Sequence, residues 1–195
     1  MKNFILLLNF ILLPSASVHT LAQEAYAVMS KDSTTLTFYY DNKKASREGT
    51  AYELNVGENS PKWVKTKDHI FLYITDNDNF TTVVFDGSFK DARPISCAHW
   101  FSGFKNLKKI EGIENLNTSN VTDMYRMFDN CANLKTIYAG AGWIIGKDTD
   151  SEGMFKNSTK LVGGKGTIFS PAATDASRAK IDGGKANPGY FTAKK

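Results

Sequence analysis

The chain has few of the side chains on which catalysis and metal binding usually depend. Its 195 residues include two cysteines and three histidines. Only His69 and His99 lie beyond Ala22, and neither has cysteine or carboxylate neighbours at the spacing of a metal site. The sequence therefore predicts a protein that is not an enzyme, with no catalytic residue, no metal and no cofactor. One alternative stays open, a secreted hydrolase in which Asp86, His99 and Glu111 converge from distant segments.

Three short motifs imitate known sites but are incomplete. The run DND at 76–78 begins like a calcium loop and lacks its closing glycine and glutamate. Asp148, Asp150 and Glu152 could be a glycosidase carboxylate pair, but the start of a helix explains them as well. The run GGKGT at 163–167 lacks the spacing of a phosphate loop and is interpreted as a turn.

Long apolar segments are also scarce, and the one candidate stands at the beginning of the chain. Lys2, the apolar segment Phe4–Leu13 and the small residues near Ala22 have the order of a secretory leader. Cleavage after Ala22 or after Ala27 fits this pattern. The apolar segment is too short to span a bilayer, and the leader region has no cysteine that could carry a lipid anchor. The sequence predicts export to the cell surface, the periplasm or the medium, with surface attachment left open.

The net charge of +4 is small, and the lysines are scattered along the sequence. No basic patch interleaves with aromatic residues, so nucleic-acid binding is not expected. The length suffices for one sizeable core.

A repeat organises the second half of the chain. The interval from Phe101 to Phe128 is also the interval from Phe128 to Phe155, and apolar residues recur at this period in several other positions. The matched sets are Phe101, Phe128 and Phe155; Trp100, Met127 and Met154; Leu107, Leu134 and Leu161; Phe104, Cys131 and Ser158; Ile110 and Ile137; Leu116 and Trp143. Phe80, Val83 and Phe89 fit one unit earlier. A fixed period with this many apolar positions is typical of a solenoid.

Within each unit the spacing predicts a short helix followed by a brief strand. Apolar residues at i, i+3, i+4 and i+7 indicate helices near 97–104 and 123–131. Thr122-Asp123 and Thr149-Asp150 are placed to begin such helices. Strands are expected side by side at 82–85, 109–111 and 136–138, so that stacking buries the apolar face of every unit.

The flanking segments are expected to cover the ends of the stack. Alternating residues at 35–40 and 52–56 predict an antiparallel hairpin with a loose polar loop. A third strand is expected at Ile70–Ile74. The resulting organisation is a signal peptide (1–22), an N-terminal β cap (23–79), a repeat solenoid (80–162) and a C-terminal cap or tail (163–195). In that tail Tyr190-Phe191 forms a late apolar anchor within a loosely structured segment.

The two cysteines could pair in an exported protein, but the repeat argues against it. Cys97 occupies the position of Met124, whereas Cys131 occupies the position of Phe104. Seven helical residues between these positions correspond to roughly 10 Å along a helix. A disulfide needs Cα atoms within about 7 Å. Both cysteines are therefore expected to be buried and free.

The repeat resembles a known family. The run GIENLNTSNVTDMYRMFDNCANL at 112–134 is similar to the repeat of BspA-like leucine-rich-repeat surface proteins of anaerobic bacteria. The flanking segments are similar to the same family as well. They are AYAVMSKDSTTLTFYYD, VVFDGSF, MFKNSTKLVGGKGT and IDGGKANPGYFT. This chain departs in having two good units and a decaying third, where Gly164 replaces the strand isoleucine. The resemblance implies an α/β leucine-rich-repeat-like solenoid that adheres to host matrix or other cells.

The residues themselves contribute a candidate binding face. In each predicted strand, the residues beside the buried anchor point away from the core. These outward residues are Thr82, Val84, Lys109, Glu111, Thr136 and Tyr138. They predict two columns suited to a protein or glycan partner. A structural envelope protein without a host ligand is the alternative. Asp32-Ser33-Thr34 also resembles an O-glycosylation triplet, which makes modification of Ser33 a further hypothesis.

Overall fold

The computed structural model describes residues 22–55, 60–64, 77–140 and 143–194. The apolar segment of the predicted leader and the strand expected at Ile70–Ile74 lie outside the described residues. Within the described part of the chain, no helix is long and apolar enough to cross a membrane.

The described residues contain seven strands in two sheets. The strands are β1 (Glu24–Met29), β2 (Thr35–Asp41), β3 (Thr50–Glu53), β4 (Thr82–Phe85), β5 (Lys109–Glu111), β6 (Ile137–Ala139) and β7 (Phe191–Ala193). The first sheet has the order β3-β1-β2-β4-β5, and the second consists of β6 and β7. β1 is antiparallel to β2 and β3, whereas β2–β4, β4–β5 and β6–β7 are parallel pairs.

The predicted hairpin between 35–40 and 52–56 is wrong, because β1 lies between its two strands. Ala27 is opposite Phe38 on one side and Tyr52 on the other. Tyr26, Ala27 and Val28 are all buried. Successive side chains of a strand point to opposite faces, so burial on both faces removes the alternation that identifies a half-exposed strand. β1 is therefore invisible to a search for alternation.

The intervening polar loop is held in place rather than loose. The guanidinium of Arg47 donates to Asp41 Oδ2 at 2.5 Å and lies 3.8 Å from the centre of the Tyr39 ring. The hydroxyl of Tyr26 donates to the other oxygen of the same carboxylate at 2.5 Å. Burial, acting against the Arg47 charge, raises the pKa of Tyr26 to about 12. The loop thus closes over the outer face of β1 and β2.

The helices expected at 97–104 and 123–131 are instead runs of consecutive turns. Alternate N–H groups of the first run donate to carbonyls of the next unit, whereas the intervening ones, such as that of Trp100, donate three residues back. An α-helix needs every N–H group for the carbonyl four residues earlier. Donation to the next unit therefore excludes the helix while leaving the apolar spacing intact. The pairs between the first two units are Cys97 to Asp123, His99 to Tyr125, Phe101 to Met127 and Gly103 to Asp129.

The second unit donates to the third in the same way. Met124, Arg126, Phe128 and Asn130 donate to Asp150, Glu152, Met154 and Lys156 at 2.7–3.1 Å. Each turn run also begins alike, with a side-chain oxygen that accepts the N–H group two residues on. Ser96, Asp123 and Asp150 hold these positions. Asp123 and Asp150 thus begin turns rather than helices.

Backbone conformation repeats with the same period. The left-handed region holds His99, Arg126 and Gly153 in one position, and Gly103, Asn130 and Asn157 in another, with φ between 50° and 76°. Glycine and asparagine tolerate this region better than other residues do. Their recurrence at the repeat period is the signal that distinguishes a turn run from a helix.

One continuous core joins the units. Phe101 and Phe128 have ring centroids 5.3 Å apart, and Phe128 stacks on Phe155 at 5.6 Å. Phe38 of β2 stacks on Trp100 at 4.8 Å, so the core extends into the first sheet. All of these rings are fully buried.

The sequence predicted that the strands of the first and second units lie side by side in one sheet. In the structure they belong to two different sheets. β5 ends the five-stranded sheet, and β6 pairs with β7 in the second one. β6 begins at Ile137, one residue later than the position equivalent to the start of β5. The arrangement of 109–111 and 136–138 as neighbouring strands of one sheet is therefore wrong.

The tail after residue 163 is ordered by specific contacts rather than loosely structured. Phe191 of β7 is opposite Ile137 and is fully buried, as is Tyr190. The Tyr190 hydroxyl donates to the carbonyl of Ala173 at 2.9 Å. A side chain at Gly164 would meet Thr192 at 3.1 Å. β7 thus packs against Gly164, which stands in the third unit at the position of Ile110 and Ile137.

Substitutions at Asn130 test the turn-run description. Asn130→Gly should leave the free energy of unfolding within about 1 kcal/mol of wild type, because glycine adopts positive φ readily. Asn130→Val should lower it by about 1–3 kcal/mol, because a β-branched residue is strained there. Chemical denaturation measures both. In a true helix the order would be reversed, since glycine is the poorer helix former.

Candidate binding face and groove

The predicted binding face is formed in part by β4 and β5. Thr82 is opposite Lys109, and Val84 is opposite Glu111. Between them Val83 and Ile110 point into the core. Tyr138 lies in β6 and is 46% exposed, whereas Thr136 precedes that strand. Five of the six predicted residues therefore lie in strands of two sheets, with a discontinuity between Glu111 and Tyr138.

A groove of about 370 Å³ occupies that discontinuity. Its lining includes the side chains of Lys109, Glu111, Glu114, Tyr138 and Lys194, together with the backbone around Gly112. Strand alternation in the sequence predicts three of these residues, Lys109, Glu111 and Tyr138. Glu114 and Lys194 were missed because they approach from a 3-10 helix and from the C-terminal tail, 80 residues apart.

Gly112 shapes the wall of the groove. Its φ is +66°, and a Cβ there would lie 2.2 Å from the carbonyl oxygen of Phe85. The same oxygen accepts the side-chain amide of Asn115 at 3.0 Å. The chain therefore turns away from the sheet directly after Glu111 and enters the 3-10 helix Ile113–Asn115. This turn ends β5 and brings Glu114 to the rim.

The charges in the groove are paired. Lys109 Nζ lies 2.5 Å from Glu111 Oε1, and Lys194 pairs with Glu114. Burial alone would raise the pKa of Glu114, but the hydrogen bond and charge of Lys194 outweigh it and lower the pKa. Two lysines and two glutamates give this lining no net charge. An exposed aromatic ring among paired charges suits a polar, neutral contact.

The three residues of the alternative hydrolase site have separate structural contacts. The Asp86 carboxylate accepts the backbone N–H of Ser88 at 2.9 Å and its hydroxyl at 2.7 Å, and it caps the 3-10 helix Gly87–Asp91. Glu111 pairs with Lys109. His99 is buried in the first turn run, edge-on to Tyr125 at 5.2 Å. Burial, with the nearby charge of Arg126, lowers the pKa of His99.

The glycine-rich run GGKGT at 163–167 is a turn whose donors bind an internal anion. The Asp182 carboxylate accepts the N–H groups of Lys165 at 2.8 Å and Thr167 at 3.0 Å, and also the Thr167 hydroxyl at 2.7 Å. Gly184 N–H completes the set at 2.8 Å. The backbone donors of this glycine-rich run are therefore occupied by the Asp182 carboxylate.

The remaining candidates also have structural contacts. Asp78 pairs with Lys105 at 3.3 Å, and Asn77 is buried with its amide donating to the carbonyl of Ser102. Within the described ranges, no three histidine, cysteine or acidic side chains are grouped to hold a metal ion. Ser33 lies in the β1–β2 turn at a φ of 59°, beside the Asp32 carboxylate that accepts from Thr34.

Both cysteines are free and buried, as the repeat positions predicted. The Cys131 thiol donates to the carbonyl of Phe101 at 3.1 Å. One unit later, the Ser158 hydroxyl donates to the carbonyl of Phe128 at 2.5 Å. The same position thus contributes the same contact with sulfur or oxygen. Burial raises the pKa of both thiols, which disfavours the reactive thiolate.

Comparison with known proteins relates the repeat segment to one family. Residues 88–173 match the family described as Mycoplasma protein of unknown function, DUF285. The match includes all three turn runs and agrees, at a coarse level, with a surface protein related to the BspA-like family. No curated protein and no solved structure matches the chain.

Asp182 provides a test of the C-terminal cap. Burial would raise the pKa of its carboxylate, but the four donated hydrogen bonds outweigh it and hold the pKa well below the usual value. Asp182→Asn places an amide against N–H groups and should lower the free energy of unfolding at pH 7 by about 2–4 kcal/mol. Denaturation at a series of pH values measures the difference.

The pH dependence of that difference has a defined sign. The pKa of Asp182 is lower in the folded state than in the unfolded state, where it is about 3.9. The ionised carboxylate therefore stabilises the fold fully above about pH 3.9, and this stabilisation is lost as the pH falls toward the folded-state pKa. The gap between wild type and Asp182→Asn should therefore narrow below about pH 4. A gap of constant size down to pH 2 would contradict the ionised cap.

Proposed function

We propose that this protein is a non-catalytic binding module, exported and either displayed at a cell surface or secreted. The observation that carries the proposal is the groove between β5 and β6. It exposes Tyr138 beside the paired charges of Lys109 and Glu111. Exposed aromatic residues contribute strongly to binding when a partner covers them. The match of residues 88–173 to a surface-related family supports the setting.

The absence of catalysis is part of the proposal. Asp86, His99 and Glu111 are each engaged in a capping, packing or ion-pair contact described above. A nucleophile and its base need mutual hydrogen-bond contact. The module instead provides a surface whose affinity depends on shape and on a few exposed side chains, with a protein or glycan as partner.

The position of β1 supports leader cleavage after Ala22. β1 begins at Glu24, and Ala27 is fully buried opposite Phe38. Cleavage after Ala27 would remove four of the six residues of a central strand. We expect Gln23 as the first residue of the protein purified from medium or cell envelope. N-terminal sequencing tests this, and a mature chain beginning at Val28 would contradict it.

A double variant tests the groove. Glu111→Lys with Tyr138→Ala removes the exposed ring and breaks the pair with Lys109, so ligand affinity should fall at least tenfold. The purified protein from Gln23 onward is screened against host-matrix proteins and a glycan array. Both substituted residues are exposed or half-exposed, so thermal unfolding should change little.

The matched control is Glu152→Lys with Ile168→Ala, which makes a comparable change at exposed positions outside the groove lining. It should bind like wild type. Unchanged binding by the groove variant would exclude the groove as the contact. A folded wild type that binds nothing on these arrays but co-purifies with envelope components would favour the structural alternative.

A further inference from the structure

Stacking of the units aligns side chains that are scattered in the sequence. Lys108 and Lys135 hold the same position in successive units, and both are exposed. Two residues earlier, Asn106, Asn133 and Lys160 hold another shared position. We call this strip the basic edge. Its members are Lys105, Asn106, Lys108, Asn133, Lys135 and Lys160.

Hydrogen bonds between units fix the basic edge. Lys160 Nζ donates to Asn133 Oδ1 at 2.5 Å, and Asn133 Nδ2 donates to Asn106 Oδ1 at 3.3 Å. Asn106 Nδ2 in turn donates to the carbonyl of Asp78 at 2.8 Å. The backbone carbonyl of Lys105 accepts from Asn133 N–H, which keeps the two units in step here. The side chains thus form a ladder across the stack.

The edge is positively charged. Lys105 pairs with Asp78 at 3.3 Å, and Lys108, Lys135 and Lys160 add three exposed ammonium groups. Like charges at equivalent positions of neighbouring units repel one another. An anionic partner would relieve this repulsion. The lining of the groove, by contrast, has no net charge, so the two surfaces differ in the ligand they favour.

We propose that the basic edge binds an anionic polysaccharide, one that carries sulfate or carboxylate groups together with free hydroxyls. The ammonium groups pair with the anionic groups. Beyond their hydrogen bonds within the edge, the amides of Asn106 and Asn133 each keep a second N–H and a second oxygen lone pair for sugar hydroxyls. Sequence-tolerant binding of single-stranded nucleic acid depends on aromatic side chains for base stacking, and the basic edge consists of lysines and asparagines alone. Because it uses other residues than the groove, this inference stands apart from the proposed function.

Binding of dextran sulfate to the purified chain from Gln23 onward, measured at several salt concentrations, tests the proposal. Neutral dextran and the single-stranded oligonucleotide poly(dT) are the comparison probes. Wild type should bind dextran sulfate with an affinity that falls steeply with salt, and at least tenfold more tightly than poly(dT). Lys108→Gln with Lys135→Gln and Lys160→Gln should weaken binding at least tenfold and flatten the salt dependence by roughly one unit of slope per lysine.

The matched control replaces three other exposed lysines, as Lys43→Gln, Lys90→Gln and Lys180→Gln, with the same change in net charge. Its affinity should stay within about twofold of wild type. Equal loss in both triple variants would overturn the proposal, because net charge alone would then explain the binding. So would poly(dT) binding as tight as that of dextran sulfate, or no binding of dextran sulfate at low salt.

Asn106→Ala separates the amides from the charges. It should weaken dextran sulfate binding severalfold with the salt dependence unchanged, since no charge is removed. Equal thermal unfolding temperatures of wild type and variants establish that the comparison concerns folded protein. An unchanged affinity in Asn106→Ala would overturn the polysaccharide assignment, because the edge would then act through charge alone.

Discussion

The hydrogen bonds from each turn run to the next are the constraint on which the repeat structure depends. Alternate N–H groups of one unit are satisfied by carbonyls of the unit that follows it. Since buried backbone groups without partners are costly, a unit alone would lose both its polar and its apolar contacts. The rings of Phe101, Phe128 and Phe155 pack in one column because these hydrogen bonds hold the backbones in step.

The two proposed binding surfaces follow from where neighbouring units are in contact and where their strands separate. At Asn106 and Asn133 the register is kept, and side chains from neighbouring units meet. A few residues later Gly112 turns the chain away from the sheet, and β6 pairs with β7 instead of β5. The strands separate there, and the groove forms. One repeat thus yields a continuous polar ladder and, beside it, a recess.

The sequence was sufficient to predict the repeat period and the buried columns, because apolar residues recur wherever the core requires them. It misassigned the turn runs, since positions i, i+3, i+4 and i+7 also face one way in a series of turns. Gly103, Asn130 and Asn157 held the information that would have decided this. Alternation of apolar and polar residues did not identify β1, because both faces of this strand are buried.

The candidate site was only partly accessible from sequence for a different reason. Alternation identifies Glu111 and Tyr138 as outward residues, but the recess depends on the separation of β5 and β6 into two sheets and on Lys194, which arrives from the far end of the chain. The basic edge likewise depends on distances between units. Such features arise from the stacking of units, which local patterns do not contain.

The direction of the backbone hydrogen bonds between turn runs also bears on how such a chain can change in length. N–H groups of the first turn run donate to carbonyls of the second, and N–H groups of the second donate to carbonyls of the third. The pattern of hydrogen bonds is the same in both cases. An in-frame duplication of one repeat unit would therefore meet complementary groups at both of its ends. Each added unit would lengthen the stack by one layer. It would also extend the basic edge, with both caps left in place. The interior of each unit would stay as it is, because its backbone groups already match those of the units on either side.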